Sequence, residues 1–145
     1  MEMRRATMDD LDTVVELFDQ YRVFYKKESD KEAVRRFLSD RIQAEESVIF
    51  IVVEGNEGLG FTQLYPTFSS VSLERMWILN DLFVAPTARK LGVASMLIDQ
   101  AKSFSLQTNS KGLILETDAD NVNAQNLYDK TGFEKDTTYH YYFFH

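Results

Sequence analysis

The chain has 145 residues, 16 basic and 23 acidic, a formal net charge of −7, and no cysteine. That length suits one ordinary domain with a sizeable core, and the cysteine count excludes disulfides, Cys-based zinc sites and a thiol nucleophile. The acidic balance argues against nucleic-acid and anionic-membrane partners. The two histidines, His140 and His145, lie at the C-terminal end, which argues against a histidine metal site or Ser-His-Asp machinery, so no metal is expected.

The N-terminal "MEMRRATMDD" has no apolar segment, and no run approaches the ~20 apolar residues that span a bilayer. A cytoplasmic protein without a membrane partner is the expectation. Met3 to Ala6 reads as a first strand. Thr7 and Asp10 resemble a capping box. Beyond them Leu11, Val14, Val15, Phe18, Tyr21 and Tyr25 recur at helical spacing. A second helix is expected after Asp30, with Val34, Phe37, Leu38 and Ile42 on one face.

"SVIFIVVE", Ser47 to Glu54, is β-branched and apolar and reads as a buried strand. "EGNEG" is a hairpin turn, and "LGFTQLYP" is the return strand. The next strand comes from "SSVSLERMWILNDLFV", apolar toward its end except for Asn80 and Asp81. A helix with Val93, Leu97, Ile98, Ala101 and Phe104 inward follows. "GLILETD", Gly112 to Asp118, is a short strand, and "NVNAQNLYDKTGF" is a helix closed by Gly132. "TTYHYYFF" reads as a terminal aromatic strand whose edge a homodimer would pair. The order β-α-α-β-β-β-α-β-α-β gives an α/β fold with a mixed sheet, taken as a single domain over 1–145.

Three constellations carry chemistry. In "LFVAPTARKLGVASML" a strand meets a loop and then a helix start. Unpaired amides at such a start, with Arg89 and Lys90, suit a phosphate, and Gly92 lets the backbone approach closely. The alternative is that Gly92 only permits tight packing there. Asn121 can cap its helix or bind a ligand's amides, and Tyr128 lies two turns along nearly the same face. Asn80 and Asp81 interrupt an apolar strand, so each is hydrogen-bonded at a strand distortion or functional.

Together, "LNDLFVAP", "TARKLGVA", "LETD" and "NVNAQNLYDKTGF" resemble, in order and spacing, the GNAT family of N-acetyltransferases. The resemblance covers nearly the whole chain and is strongest from Trp77 to Phe133. "QLYPTFSSVSL" followed by "WILNDLFV" is similar to the small-amine and histone-type branch. The resemblance implies the acyl-CoA N-acyltransferase fold: a mostly antiparallel sheet in which two parallel strands, Trp77–Val84 and Leu113–Thr117, splay apart. Acetyl-CoA would lie in that gap. The backbone of Leu82, Phe83 and Val84 would meet the pantetheine arm. The amides of Arg89, Lys90, Leu91, Gly92, Val93 and Ala94, with Ser95, would take the pyrophosphate. Asn121 would contact the arm, with Ala124 leaving room.

Acetyl transfer would then run directly to an amine, with Tyr128 as general acid for the departing thiolate. Many relatives place a glutamate where this chain has Asn80, and an amide cannot accept the proton. Asp81, Glu116 or water remains as the base. The acceptor site would be framed by the first two helices, the hairpin and the last strand. Its candidates are Tyr21, Tyr25, Glu28, Asn80, Tyr65, Phe68 and Tyr139 to Tyr142, or these aromatics are core and interface. The expected activity is acetylation of a small polyamine-like or amino compound. A protein lysine or N-terminal acetyltransferase and a non-catalytic acyl-CoA sensor are the alternatives.

Overall fold

Val48–Glu54 is apolar at every position but its last because both of its faces are covered. In the computed structural model, which describes residues 1–145, this segment is β2. Ile49, Ile51 and Val53 point to one side of the sheet, and Val48, Phe50 and Val52 to the other. The sheet follows chain order: β1 (Glu2–Arg5), β2, β3 (Glu57–Ser69), β4 (Glu74–Val84) and β5 (Leu113–Ile114). All neighbours are antiparallel except the parallel pair β4–β5.

Two helices, α1 (Leu11–Phe24) and α2 (Lys31–Gln43), cover one face. Leu11, Val14, Val15, Leu17, Phe18, Val34 and Leu38 pack there on Ile51, Phe61 and Phe83. α3 (Val93–Gln107) covers the other, with Val93, Leu97 and Ala101 on Val52, Leu64, Trp77 and Leu79. Burying one such aliphatic side chain contributes about 1.5–3 kcal/mol. The start of α3 lies close to the sheet at Gly60. A Cβ there would stand 2.8 Å from the Phe83 carbonyl oxygen and 2.9 Å from Val93 Cγ1.

The expected caps form. Thr7 Oγ1 accepts from the Asp9 amide (3.3 Å), and the Asp10 carboxylate accepts from the Thr7 amide (3.0 Å), at a short 3-10 turn leading into α1. Asp30 Oδ1 accepts from the Ala33 amide and starts α2. Between the helices, buried Asp19 accepts from the Ser29 hydroxyl at 2.6 Å and the Asp30 amide at 2.9 Å, which fastens the loop to α1. β3 runs past Pro66 to Ser69. Its ladder with β2 ends at Leu64, so a proline with no N–H is tolerated on what is there an edge.

The chain divides into two compact units. Met1–Leu115 holds the whole sheet and the first three helices; Glu116–His145 holds α4 (Val122–Lys130). In the second unit Asn121 Oδ1 caps α4 through the Ala124 amide (3.1 Å). The helix closes where the Phe133 amide reaches the Tyr128 carbonyl (3.0 Å), with Gly132 at φ +93°.

Two strand expectations are corrected. β5 keeps only Leu113 and Ile114 of the expected Leu113–Thr117, because Glu116, Thr117 and Asp118 are exposed and polar and have no apolar face to bury. The terminal "TTYHYYFF" forms no strand. Its aromatics occupy four consecutive positions, Tyr141 to Phe144, so a strand there would need burial on both faces. Instead Tyr139, Tyr141, Phe143 and Phe144 are exposed. No helix is long and apolar enough to cross a membrane.

Candidate active site

The strand distortion lies at Asn80. Along β4, Asp81 pairs with Gln63 while Leu79 pairs with Leu64, so Asn80 is an extra residue with no partner on β3. The consequence is a change of face. Trp77 and Leu79 point to α3, and unbroken alternation would send Asp81 and Phe83 the same way. Past the bulge, Leu82 and Val84 take the α3 side, and Phe83 packs with α1 and α2. Asp81 therefore shares the α1/α2 face of the sheet with Phe83, and the exposed Asn80 is left at the kink.

Asp81 is 7% exposed. Its Oδ2 accepts from Gln63 Nε2 at 2.8 Å and from Asn80 Nδ2 at 3.2 Å. Its backbone carbonyl accepts from the Thr62 hydroxyl at 2.8 Å. The Tyr65 phenol on β3 is pushed up to about 12, by burial first and then by the Asp81 charge, with Arg41 of α2 pulling the other way. Tyr21 completes the aromatic wall, 5.6 Å from Phe61, 5.8 Å from Phe83 and 5.2 Å from Tyr25. Next to this wall, a cleft of about 490 Å³ is lined by Glu16, Asp19, Phe24, Phe83, Pro86 and Arg89, among others.

On the edge of β4 away from β3, pairing with β5 stops at Ile78↔Ile114, while β4 runs on to Val84. Leu82 and Val84 thus turn backbone groups to that edge with no strand beside it, in the place where the splayed gap is expected, while Phe83 between them turns its own toward β3. The Phe83 side chain packs in the α1/α2 core at the margin of the cleft, and its carbonyl oxygen lies beside Gly60 of β3.

After β4, Pro86–Ala88 forms a 3-10 turn, and the chain enters α3 through a left-handed Gly92 (φ +81°). The first helical bond runs from the Met96 amide to the Gly92 carbonyl (3.0 Å). The amides of Val93, Ala94 and Ser95 precede it and are the orphan donors of the helix start, at its positive dipole end. A Cβ on Gly92 would meet no protein atom within 4 Å, so tight packing is not its role. The backbone conformation is what requires glycine. Lys90 is also left-handed (φ +66°), which turns the loop Arg89–Leu91 outward. The Arg89 guanidinium lies over the Phe24 ring (5.7 Å) and its Nε donates to the Val84 carbonyl.

In the second unit Tyr128 is half-buried on α4, its ring 5.6 Å from Phe133. The Asn121 cap uses Oδ1, which leaves Nδ2 as the donor for a ligand, and Ala124 sits one turn on. Glu116 is exposed and off any strand, which corrects its placement on the strand beside β4. It accepts from the Tyr142 hydroxyl (3.3 Å), and its charge raises that phenol's pKa.

The structure therefore brings Asp81, Tyr21 and Tyr25 to one face of the first unit, and the loop amides to one helix start. Gln63 was missed in the sequence. A single amide inside "LGFTQLYP" is the same kind of irregularity as Asn80-Asp81 and could have marked it.

The sequence model described as the acetyltransferase (GNAT) family matches residues 11–133. The chain is 46% identical over 142 residues to an uncharacterized N-acetyltransferase, YhfO, of Bacillus subtilis (strain 168), covering 98% of this chain and 95% of that protein. The crystal structure of a probable acetyltransferase superposes with a TM-score of 0.92 at 41% identity, covering 99% of this chain and 97% of the other. An aminoglycoside N-acetyltransferase in complex with CoA shares the fold, with a TM-score of 0.81 at 20% identity over 97% of this chain and 92% of the other.

Proposed function

The chain belongs to the acetyltransferase (GNAT) family and is an acetyl-CoA-dependent N-acetyltransferase; from that premise we propose that it moves acetyl directly to the primary amine of a small cationic compound. The observation that carries this reading is the bulge at Asn80, which turns the Asp81 carboxylate toward the aromatic face formed with α1 and α2.

Acetyl-CoA is the cosubstrate, and the residues present fit it. The orphan amides of Val93, Ala94 and Ser95, reached through left-handed Gly92, suit the pyrophosphate. Arg89, Lys90 and Leu91 frame that loop, and the two cations complement the phosphates. The edge of β4 at Leu82 and Val84, which no strand covers, offers backbone bonds to the amide-bearing pantetheine arm, with the main chain of Phe83 between them. Asn121 Nδ2 is a further donor, with Ala124 beside it. Bound acetyl-CoA supplies the thioester and its thiolate leaving group.

On the protein side, Asp81 takes a proton from the acceptor ammonium, directly or through water, and leaves a neutral nucleophilic amine. Tyr128 gives its hydroxyl proton to the departing thiolate; a phenol with a reference pKa near ~10 holds that proton at neutral pH. Tyr21 and Tyr25 offer ring faces to a cation, and Glu16 and Asp19 add negative charge in the adjoining cleft. Asn80 and Glu116 have smaller parts in this scheme, since the first sits at the bulge and the second is bonded to Tyr142. Residues 1–145 act as one catalytic domain, and a homodimer pairs through the exposed aromatic terminus. No metal takes part.

Coenzyme A thiol release, measured with polyamines, amino sugars, amino acids and a basic peptide as acceptors, tests the reading. Small cationic amines are expected to give the highest kcat/KM. Activity on the peptide alone would replace it with a protein-modifying role.

A further inference from the structure

Gln63 is fully buried, with 0% exposure, inside β3. Its Nε2 donates to Asp81 Oδ2 at 2.8 Å, while its Oε1 is buried without a hydrogen-bond partner. A buried carbonyl left unpaired is unfavourable, and an apolar side chain of similar size would remove that cost. The amide is therefore poorly explained by packing, and its one satisfied bond goes to the carboxylate. Only the bulge at Asn80 puts the two residues opposite each other.

We propose that Gln63 is a positioning residue for acceptor activation: its Nε2–H fixes the orientation of the Asp81 carboxylate on the α1/α2 face. The inference rests on Asp81 as the base. The ionisable groups on and beside this face include the Tyr65 phenol of β3, the Tyr21 phenol of α1 and that of Tyr25 at its end, the Arg41 guanidinium of α2, and Glu16 and Asp19 of α1 in the adjoining cleft. Tyr65 lies at about 12, and Asp19 is bonded to Ser29 and Asp30.

The test is the pH profile of kcat/KM for the full chain with its best amine, in the wild type, Gln63→Leu, Gln63→Glu and Asp81→Asn. Gln63→Leu is expected to lower kcat/KM for the amine roughly tenfold, the scale of one lost hydrogen bond to a charged group. The KM for acetyl-CoA should stay unchanged. Gln63→Glu, nearly isosteric, serves where the leucine variant does not fold. It replaces the amide donor by a second carboxylate beside Asp81 and is expected to lower kcat/KM further. An acidic limb that vanishes in Asp81→Asn, with wild-type kcat/KM in both Gln63 variants, overturns the role of Gln63 alone. A limb that persists in Asp81→Asn overturns the Asp81 reading, and the role of Gln63 with it.

Discussion

Asn80 has no partner on β3, and that single extra residue sets Asp81 opposite Gln63 and on the α1/α2 face. The bulge is thus the device that converts a buried strand into a carrier of one carboxylate. It keeps Trp77 and Leu79 in the α3 core while turning the next segment of the same strand over. Deleting Asn80 leaves Leu79 and Asp81 consecutive, opposite Leu64 and Gln63 and on their present faces, so it should straighten β4 into a regular ladder with little loss of stability. Asn80→Ala keeps the chain length and should cost about 1 kcal/mol or less. Urea unfolding of the two variants measures both costs, and a loss on deletion of about 2–5 kcal/mol, the scale of removing a large buried side chain, would argue against this register.

Asp81→Asn should lower kcat/KM and remove one ionisation from its pH profile, with acetyl-CoA affinity retained. An unchanged profile eliminates Asp81 as the base.

Gly92→Ala is expected to cost about 1–2 kcal/mol of stability, from the left-handed backbone alone, since the new methyl meets no protein atom. Its larger effect should be on coenzyme A binding, because the loop amides would turn away from their common direction. Calorimetric titration with coenzyme A, set beside a thermal melt, separates the two effects. A loss of stability with unchanged affinity would show that the loop is not the pyrophosphate site.

Tyr128→Phe should lower kcat roughly ten- to a thousandfold while coenzyme A binding persists. Full activity in this variant would assign protonation of the thiolate to another group.

Asp19 gives a pH prediction for folding. Burial pushes this carboxyl up, but the Ser29 hydroxyl and the Asp30 amide outweigh it, and its pKa is lowered overall. A depressed carboxylate contributes stability that is present above its unfolded value near ~3.9 and is lost as pH falls through the folded value. Asp19→Asn should therefore be less stable than the wild type at pH 7, by about 1–3 kcal/mol. The gap should narrow as the pH falls below ~4. A gap that does not depend on pH between 2 and 7, followed by circular dichroism melts, would contradict this role.

Much of the fold was legible because local chemistry and global packing agree. "SVIFIVVE" is apolar at consecutive positions because two helical layers cover it, and Thr7, Asp30 and Asn121 cap the turns or helices that follow them. The strand–loop–helix order from Leu82 to Ser95 fixed the candidate coenzyme loop, although the reason for Gly92 proved to be its φ, not crowding. The bulge was not locatable from residue types. Asn80 and Asp81 announce a distortion, but which of them is the extra residue depends on the register against Gln63 and Leu64, a property of pairing between strands. The terminal aromatics misled for a related reason. β-propensity is high in "TTYHYYFF", yet a strand exists only where a partner supplies its hydrogen bonds.

The central claim is transfer of acetyl to a small amine, and coenzyme A thiol release with an amine panel tests it most directly. The account predicts release that depends on both acetyl-CoA and a small cationic amine, and that falls sharply in Tyr128→Phe and Asp81→Asn. Acetyl-CoA binding without thiol release for any amine or peptide would contradict it and identify a sensor.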